Sequence, residues 1–265
     1  PASGNVALLF ENVERSSLPV LTNAFGSAER MAWALGVDSL DELGANLERM
    51  IALDIPGSLP SKLKRLGELM DVPRALPRMV SRAPCQQIVD TDSASLDSLP
   101  ILKCWPDDGG RYITLPAVIT RDPETGRRNV GMYRLQVFDE RTLGMHWQRH
   151  KGGADHQRSG EKIGQTRLPA AIALGGDPAV TYAASAPLPQ GIDEMLLAGW
   201  LRGRGVEMVK CATVDLEVPA SSDIVIEGYV DLSERRLEGP FGDHTGYYSL
   251  AGLYPVFHVS AITRR

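Results

Sequence analysis

A chain of 265 residues, 43% hydrophobic and 23% charged, has the composition of an ordinary globular protein, with room for one large domain or two smaller ones. The net charge of −5 comes without a polybasic run, and no apolar run reaches bilayer-spanning length. A nucleic-acid partner and an integral membrane segment are therefore disfavoured, and a small-molecule ligand and a cytoplasmic address are expected.

In chain order, 5–10 (NVALLF) reads as a buried strand already under way, and 19–27 (PVLTNAFGS) as a strand ending in a turn. The run 30–37 (RMAWALGV) fits a short helix closed by its own glycine. Asp38 or Ser39 is placed to cap a helix over 40–53, which Pro56 stops. Leu59, Leu63, Leu66 and Met70 then mark an apolar helical stripe. Residues 1–98 are accordingly expected to form an α/β scaffold. Beyond residue 98 the pattern changes to β-rich runs (YITLPAVITRD, NVGMYRLQVFD, TLGMHW, MVKCATVDLEVP, DIVIEGYVDL, YPVFHVSAIT) separated by turn signals. Residues 99–265 are expected to form a barrel or sandwich, with one helix near 193–202. The three cysteines, Cys85, Cys104 and Cys211, lack any C-x-x-C spacing and read as reduced thiols, not as a disulfide or zinc framework. Because the last residues stop inside an apparent strand, the chain is expected to be a piece of a longer protein.

Four segments hold residues suited to chemistry. In EGPFGDHTGYY (238–248), Glu238 and Asp243 flank a Gly-Pro-Phe-Gly turn that can bring both acids to one side of a pocket. Two acids in a dry site do not both ionise cheaply, so one can hold a proton near neutrality. In NVGMYRLQ (129–136), a strand would place Asn129, Gly131 and Tyr133 on one face and Val130, Met132 and Arg134 on the other, unless a bulge intervenes. Arg134 is a fork for a carboxylate, and Asn129 offers an amide oxygen to a hard cation. In HWQRHKGGADH (146–156), a Gly-Gly pair beside Arg149 and Lys151 suits a phosphate; His146 and His150 would share a face only in a helix, which the glycines disfavour. Glu194 opens the helix of DEMLLAGWLRG, where the helix dipole alone explains an acid. Taken singly, each segment is also compatible with a solvated turn or strand.

Together, in this order and with these gaps, the segments resemble the decarboxylase family that includes 3-polyprenyl-4-hydroxybenzoate decarboxylase of quinone biosynthesis and the ferulic and phenylacrylic acid decarboxylases, the UbiD family. The resemblance runs from NVALLFENV to the last residue. It implies an α+β protein: an N-terminal α/β domain followed by a split β-barrel of flavin-reductase type, without the family's C-terminal domain. It implies a prenylated flavin mononucleotide held through its phosphate and a divalent metal, usually Mn2+ with Mg2+ as the alternative, and it allows a K+ ion. Asn129 and Glu194 match the family's metal-binding positions, and His150 stands where some members supply a histidine ligand. Met132, Tyr133, Arg134, His146, Trp147, Gln148, Lys151 and Gly152 match cofactor-contacting positions, beside Asn129 and His150. Arg134, Glu238 and Asp243 match the catalytic acid–arginine–acid network, in which Asp243 delivers the proton that replaces carbon dioxide.

The implied activity is that of a carboxy-lyase on an aromatic or α,β-unsaturated acid, a 4-hydroxybenzoate-type precursor of ubiquinone or menaquinone among the options. Implied partners are a flavin prenyltransferase that supplies the cofactor and further copies of the chain, as a dimer or hexamer. Two other readings compete. A flavin-reductase-like oxidoreductase would use ordinary flavin mononucleotide, and a non-catalytic fragment would keep only the fold.

Overall fold

The structure, a computed structural model, describes residues 5–14, 16–51, 72–189 and 191–265. The stripe of Leu59, Leu63, Leu66 and Met70 lies outside the described residues. Near the start, β1 (Leu8–Phe10) pairs antiparallel with β2 (Val20–Thr22). Its expected burial is not found: Leu8, Leu9 and Phe10 are at least half exposed, because among the described residues β1 pairs only with β2. Helix α1 (Ala28–Leu35) ends at Gly36 in the left-handed region, as the sequence leads one to expect, but starts two residues earlier than expected, where the Ser27 hydroxyl accepts from the Arg30 N–H. Helix α2 (Leu40–Ile51) follows, then the short α3 (Val72–Ala75).

The dominant element is a nine-stranded sheet. After β3 (Arg78–Met79) come β4 (Ile88–Asp90), β5 (Tyr112–Ile113), β6 (Ala117–Arg121), β7 (Arg128–Gly131), β8 (Leu135–Asp139) and β9 (Thr142–Met145). Helix α4 (Gly152–Lys162) leads to β10 (Arg167–Leu174); α5 (Pro178–Ser185) and α6 (Glu194–Leu201) precede β11 (Glu207–Lys210) and β12 (Glu217–Pro219). The long strands β13 (Ile224–Glu238) and β16 (Gly252–Arg264) enclose a small hairpin, β14 (Phe241–Gly242) and β15 (Tyr248–Ser249). The path runs β5-β8-β9-β16-β13-β10-β6-β7, with β4 added on β16 and β3, β11 and β12 in a separate small sheet. Its end strands β5 and β7 do not pair with each other, so among the described residues the barrel expected from the sequence is met by an open antiparallel sheet and no closed barrel is found.

The sheet is buried on both faces, which explains why its strands read as continuous apolar runs and not as alternating ones. On one face Ala117, Ile119, Ala171, Ala173 and Val225 pack with α5 and α6 and with Leu35 and Leu43 of the first two helices. On the other, Val118, Ala170, Ile172 and Ile226 pack with Leu143, Met145 and Phe257. Each large side chain buried this way contributes roughly 1.5–3 kcal/mol relative to exposure. The result is a packed platform, and the candidate site is built on the ends of its strands and on the loops and helix start beside them. Cys85, Cys104 and Cys211 are free thiols.

Candidate active site

The strand expected across 129–136 is interrupted. β7 ends at Gly131 and β8 begins at Leu135, so Met132, Tyr133 and Arg134 lie on a break in the sheet. The Met132 N–H donates instead to the Ala184 carbonyl in α5, at 2.8 Å. The Tyr133 ring folds back over Gly131, within 2.2 Å of where any Cβ on that residue would sit. The break frees Arg134 from the alternation of the strand and turns it toward β13. Its Nε and Nη2 donate to Oε1 and Oε2 of Glu238 at 2.9 and 3.1 Å, and Nη2 also donates to the Ser249 hydroxyl at 3.0 Å.

Glu238 closes β13 with its side chain fully buried. Nδ1 of His146 lies 2.8 Å from its Oε2, and the His146 ring packs at a tilt of 31° against Tyr254 with centroids 4.2 Å apart. Burial alone would raise the Glu238 carboxyl; hydrogen bonds from His146 and Arg134, with their charges, outweigh it and hold the group below the ordinary glutamate range. Asp243 stands apart from this network. Its carboxylate, 41% exposed, accepts from the His244 N–H at 2.7 Å and lies 2.8 Å from His244 Nδ1. Those bonds hold it below the ordinary aspartate range. Among the described residues no hydrogen bond joins Asp243 to Arg134 or Glu238.

A second cluster forms an open cleft of about 560 Å³, lined by Asn129, His150, Gly152 and Glu194 among others. Asp193 caps α6 by accepting from the Met195 N–H at 2.9 Å, and it pairs with Arg128 of β7 at 2.6 Å. Glu194, one residue on, accepts from the Val130 N–H at 3.1 Å, and burial pushes its carboxyl up to about 7. Helix α4 starts only at Gly152, so His146 and His150 do not share a helical face: His146 reaches Glu238, while His150 sits exposed in the turn beside Gln148 and Lys151. The N-cap of α4, Lys151, makes no side-chain capping bond. A Cβ at Gly152 would fall 1.9 Å from Asn129 Oδ1, so only glycine allows that approach. Trp147 is buried edge-on to Tyr133, and its indole N–H has no partner among the described residues.

These donors fit a hard divalent cation and an anion. Asn129 Oδ1 accepts no hydrogen bond among the described residues, and Glu194 is a partly buried carboxylate whose charge a cation would compensate. The uncapped α4 N-terminus suits a phosphate. No three His, Cys, Asp or Glu side chains cluster to hold a metal by themselves among the described residues, so the amide of Asn129 is needed for a third protein ligand. Sequence reasoning did not find Ser249, Tyr254, Arg128, Asp108 or Gln136. Only Asp108, which opens a Gly-Gly turn, carries a visible signal.

Residues 78–265 match the family model for the 3-octaprenyl-4-hydroxybenzoate carboxy-lyase Rift-related domain, and residues 1–49 match that for the N-terminal domain of the same enzymes. An uncharacterized protein of Archaeoglobus fulgidus is 51% identical over 264 residues, covering 99% of this chain and 54% of its own length. Among solved structures, the UbiD-class enzyme HmfF of Pelotomaculum thermopropionicum in complex with FMN superposes with a TM-score of 0.83 at 35% identity, covering 98% of this chain and 54% of that one. The closed form of vanillic acid decarboxylase from Sedimentibacter hydroxybenzoicus gives 0.85 at 32% identity, over 98% and 53%. The chain thus spans about half the length of the relatives it matches.

Proposed function

The chain belongs to the UbiD family of carboxy-lyases, and on that premise we propose that it carries the cofactor-binding and catalytic residues of a decarboxylase acting on an aromatic or α,β-unsaturated carboxylic acid. The observation that carries this reading is the buried ion pair of Arg134 and Glu238, set beside a turn that leads directly to Asp243. Such a pair is costly to bury and weak as a stability device, which favours a chemical use for it.

The cofactor in this proposal is prenylated FMN, since HmfF has also been solved with prFMN bound. Its phosphate would meet the α4 N-terminus and Lys151, and a Mn2+ or Mg2+ ion would be held by Asn129, Glu194 and His150. When bound, this cofactor supplies the electron sink for carbon–carbon bond cleavage. The remaining work falls to the chain's own side chains. Nη1 of Arg134 lies outside the bonds to Glu238 and Ser249 and is available to a substrate carboxylate. Glu238, held ionised by His146 and Arg134, fixes the guanidinium plane in which that carboxylate would lie. Asp243, paired with His244 in this structure, would deliver the replacing proton after turning off His244 toward the substrate; loss of those bonds returns its carboxyl toward the ordinary aspartate range, and burial under a bound substrate would raise it further so that it can hold a proton.

The test uses chain co-expressed with a flavin prenyltransferase and supplied with Mn2+, assayed for carbon dioxide release from vanillate, 3,4-dihydroxybenzoate, 4-hydroxybenzoate and cinnamate. Glu238→Gln and Asp243→Asn are each expected to lose activity by at least about a hundredfold while the flavin absorbance persists. Full turnover in both variants would reject the assigned roles. Mass spectrometry of the bound pigment addresses the reductase alternative: unmodified flavin together with nicotinamide oxidation would favour it.

A further inference from the structure

The two acids of the proposed site flank a Gly-Pro-Phe-Gly turn in which only the Pro240 ring and the Phe241 side chain can constrain the backbone from within, and neither fixes where the turn stands on the sheet. The structure shows what does. Asp108, only 4% exposed, sits in the loop before β5 and spends both carboxylate oxygens on backbone N–H groups. Oδ2 accepts from Cys104 and Trp105, at 3.1 and 2.8 Å, and Oδ1 accepts from Gly242 at 2.8 Å. Gly242 is the residue immediately before Asp243.

The other end of the turn is held in the same manner. Oε1 of the buried Gln136 accepts from the Gly239 N–H at 2.8 Å, one residue after Glu238, and from the Tyr112 hydroxyl at 3.0 Å. Between these two anchors the Gly109 N–H donates to the Pro240 carbonyl at 2.7 Å. A Cβ at Gly109 would lie 2.3 Å from the Gly239 carbonyl oxygen, so the two backbones meet where no other side chain fits. The Asp107 N–H donates to the Tyr248 hydroxyl at 3.2 Å, on the returning arm of the hairpin. Phe241 is enclosed between the Tyr112 ring, at 4.6 Å, and the Arg134 guanidinium, at 4.9 Å.

We infer that Asp108 is a positioning residue that sets where Asp243 stands relative to the Arg134–Glu238 pair, with Gln136 anchoring the Glu238 side. This rests on the reading of Glu238 and Asp243 as the reacting acids. The physical reason is that a carboxylate has only acceptors, so one side chain satisfies N–H groups of two separate segments at once. An asparagine in its place must turn its NH2 toward one set of donors. Either Gly242 or the Cys104–Trp105 pair then loses its acceptor, and the two segments are no longer held together.

Asp108→Asn is compared with Glu227→Gln. Glu227 is an equally buried carboxylate whose donors, the Ala212 and Thr213 N–H groups and the Thr213 hydroxyl, lie outside the acid turn. By hydrogen–deuterium exchange, Asp108→Asn is expected to speed exchange across 240–246 by about tenfold or more while 224–232 in β13 stays protected. Glu227→Gln is expected to loosen 211–213 and leave 240–246 unchanged. In the decarboxylation assay, Asp108→Asn is expected to lower kcat by about tenfold to a hundredfold with little change in KM, and Glu227→Gln to leave both near wild type. Unchanged exchange over 240–246 in Asp108→Asn overturns the inference, as does the same loss of kcat in both variants. Wild-type chain that releases no carbon dioxide from any acid counts against the decarboxylase reading alone; the exchange comparison then still decides whether Asp108 sets the turn.

Discussion

Glu238 shows how a single side chain couples stability to pH in this fold. Its carboxyl is fully buried against Arg134 and His146 and held below the ordinary glutamate value of 4.5. A group whose folded pKa is depressed stabilises the protein above the unfolded value and loses that contribution as pH falls through the folded one. The wild-type chain is therefore expected to lose stability below about pH 4.5 more steeply than Glu238→Gln, in which nothing at this position titrates. At neutral pH the variant is expected to be the less stable of the two, by about 3 kcal/mol, because Arg134 is left buried without its counter-charge. Urea denaturation at pH 7 and pH 4 measures both, and a stability gap that does not narrow on acidification would show that the pair does not hold Glu238 ionised. At this scale the sequence spoke through residue type: Arg134, Glu238 and Asp243 stand out as chemistry-bearing groups in short motifs. Asp108 did not: the Gly-Gly after it marks a turn, but its partner Gly242 is 134 positions away and the contact is to backbone, so no local pattern reveals what the side chain holds.

Elements were legible where local rules govern them and illegible where tertiary contacts do. The Gly36 end of α1 and the helix opening at Glu194 follow from residue types, whereas the Ser27 and Asp193 caps, though of ordinary capping types, were not singled out. The break at 132–134 does not follow from residue types, since no Gly or Pro stands there; it is fixed by the Met132 bond to Ala184 in another element. In the same way NVALLF is apolar enough for a buried strand, but burial depends on what covers it, and the described residues leave β1 exposed. The start of α4 belongs between these cases. Gly-Gly marks a turn in sequence, whereas the reason for glycine is the Asn129 amide that occupies the space of a side chain. Gly152→Ala is accordingly expected to leave the helical circular dichroism intact, since alanine favours a helix, yet to weaken Mn2+ binding by about tenfold or more through displacement of Asn129. Isothermal titration with Mn2+ checks this, and unchanged affinity would remove Asn129 from the ligand set.

Across the whole molecule, the cleft joins pieces that the chain order keeps far apart: Asn129 on β7, His150 before α4, and Glu194 at the head of α6. The open sheet supplies the platform, and nothing in a strand pattern says that these three positions converge on one side of it; only the family resemblance carried by the ordered motifs pointed there. Among the described residues no helix is long and apolar enough to cross a membrane. A ligand that binds across the three segments stabilises the folded state by mass action, by about 2.7 kcal/mol at a hundredfold excess over its Kd. Mn2+ is thus expected to raise the Tm of wild-type chain by several degrees, and chelation to reverse the rise. Glu194→Gln should act in two opposite directions. Without metal it is expected to raise the Tm at pH 8, because it removes a carboxylate whose ionised form is penalised by burial while a side-chain oxygen is kept for the Val130 N–H. With Mn2+ it is expected to show no further rise, because a neutral amide is a poor exchange for the anionic ligand. A generally damaged fold cannot produce that crossed pattern, in which the variant is the more stable protein without metal and the less responsive one with it. A Glu194→Gln chain that still gains several degrees from Mn2+ would place the cation somewhere other than this cleft.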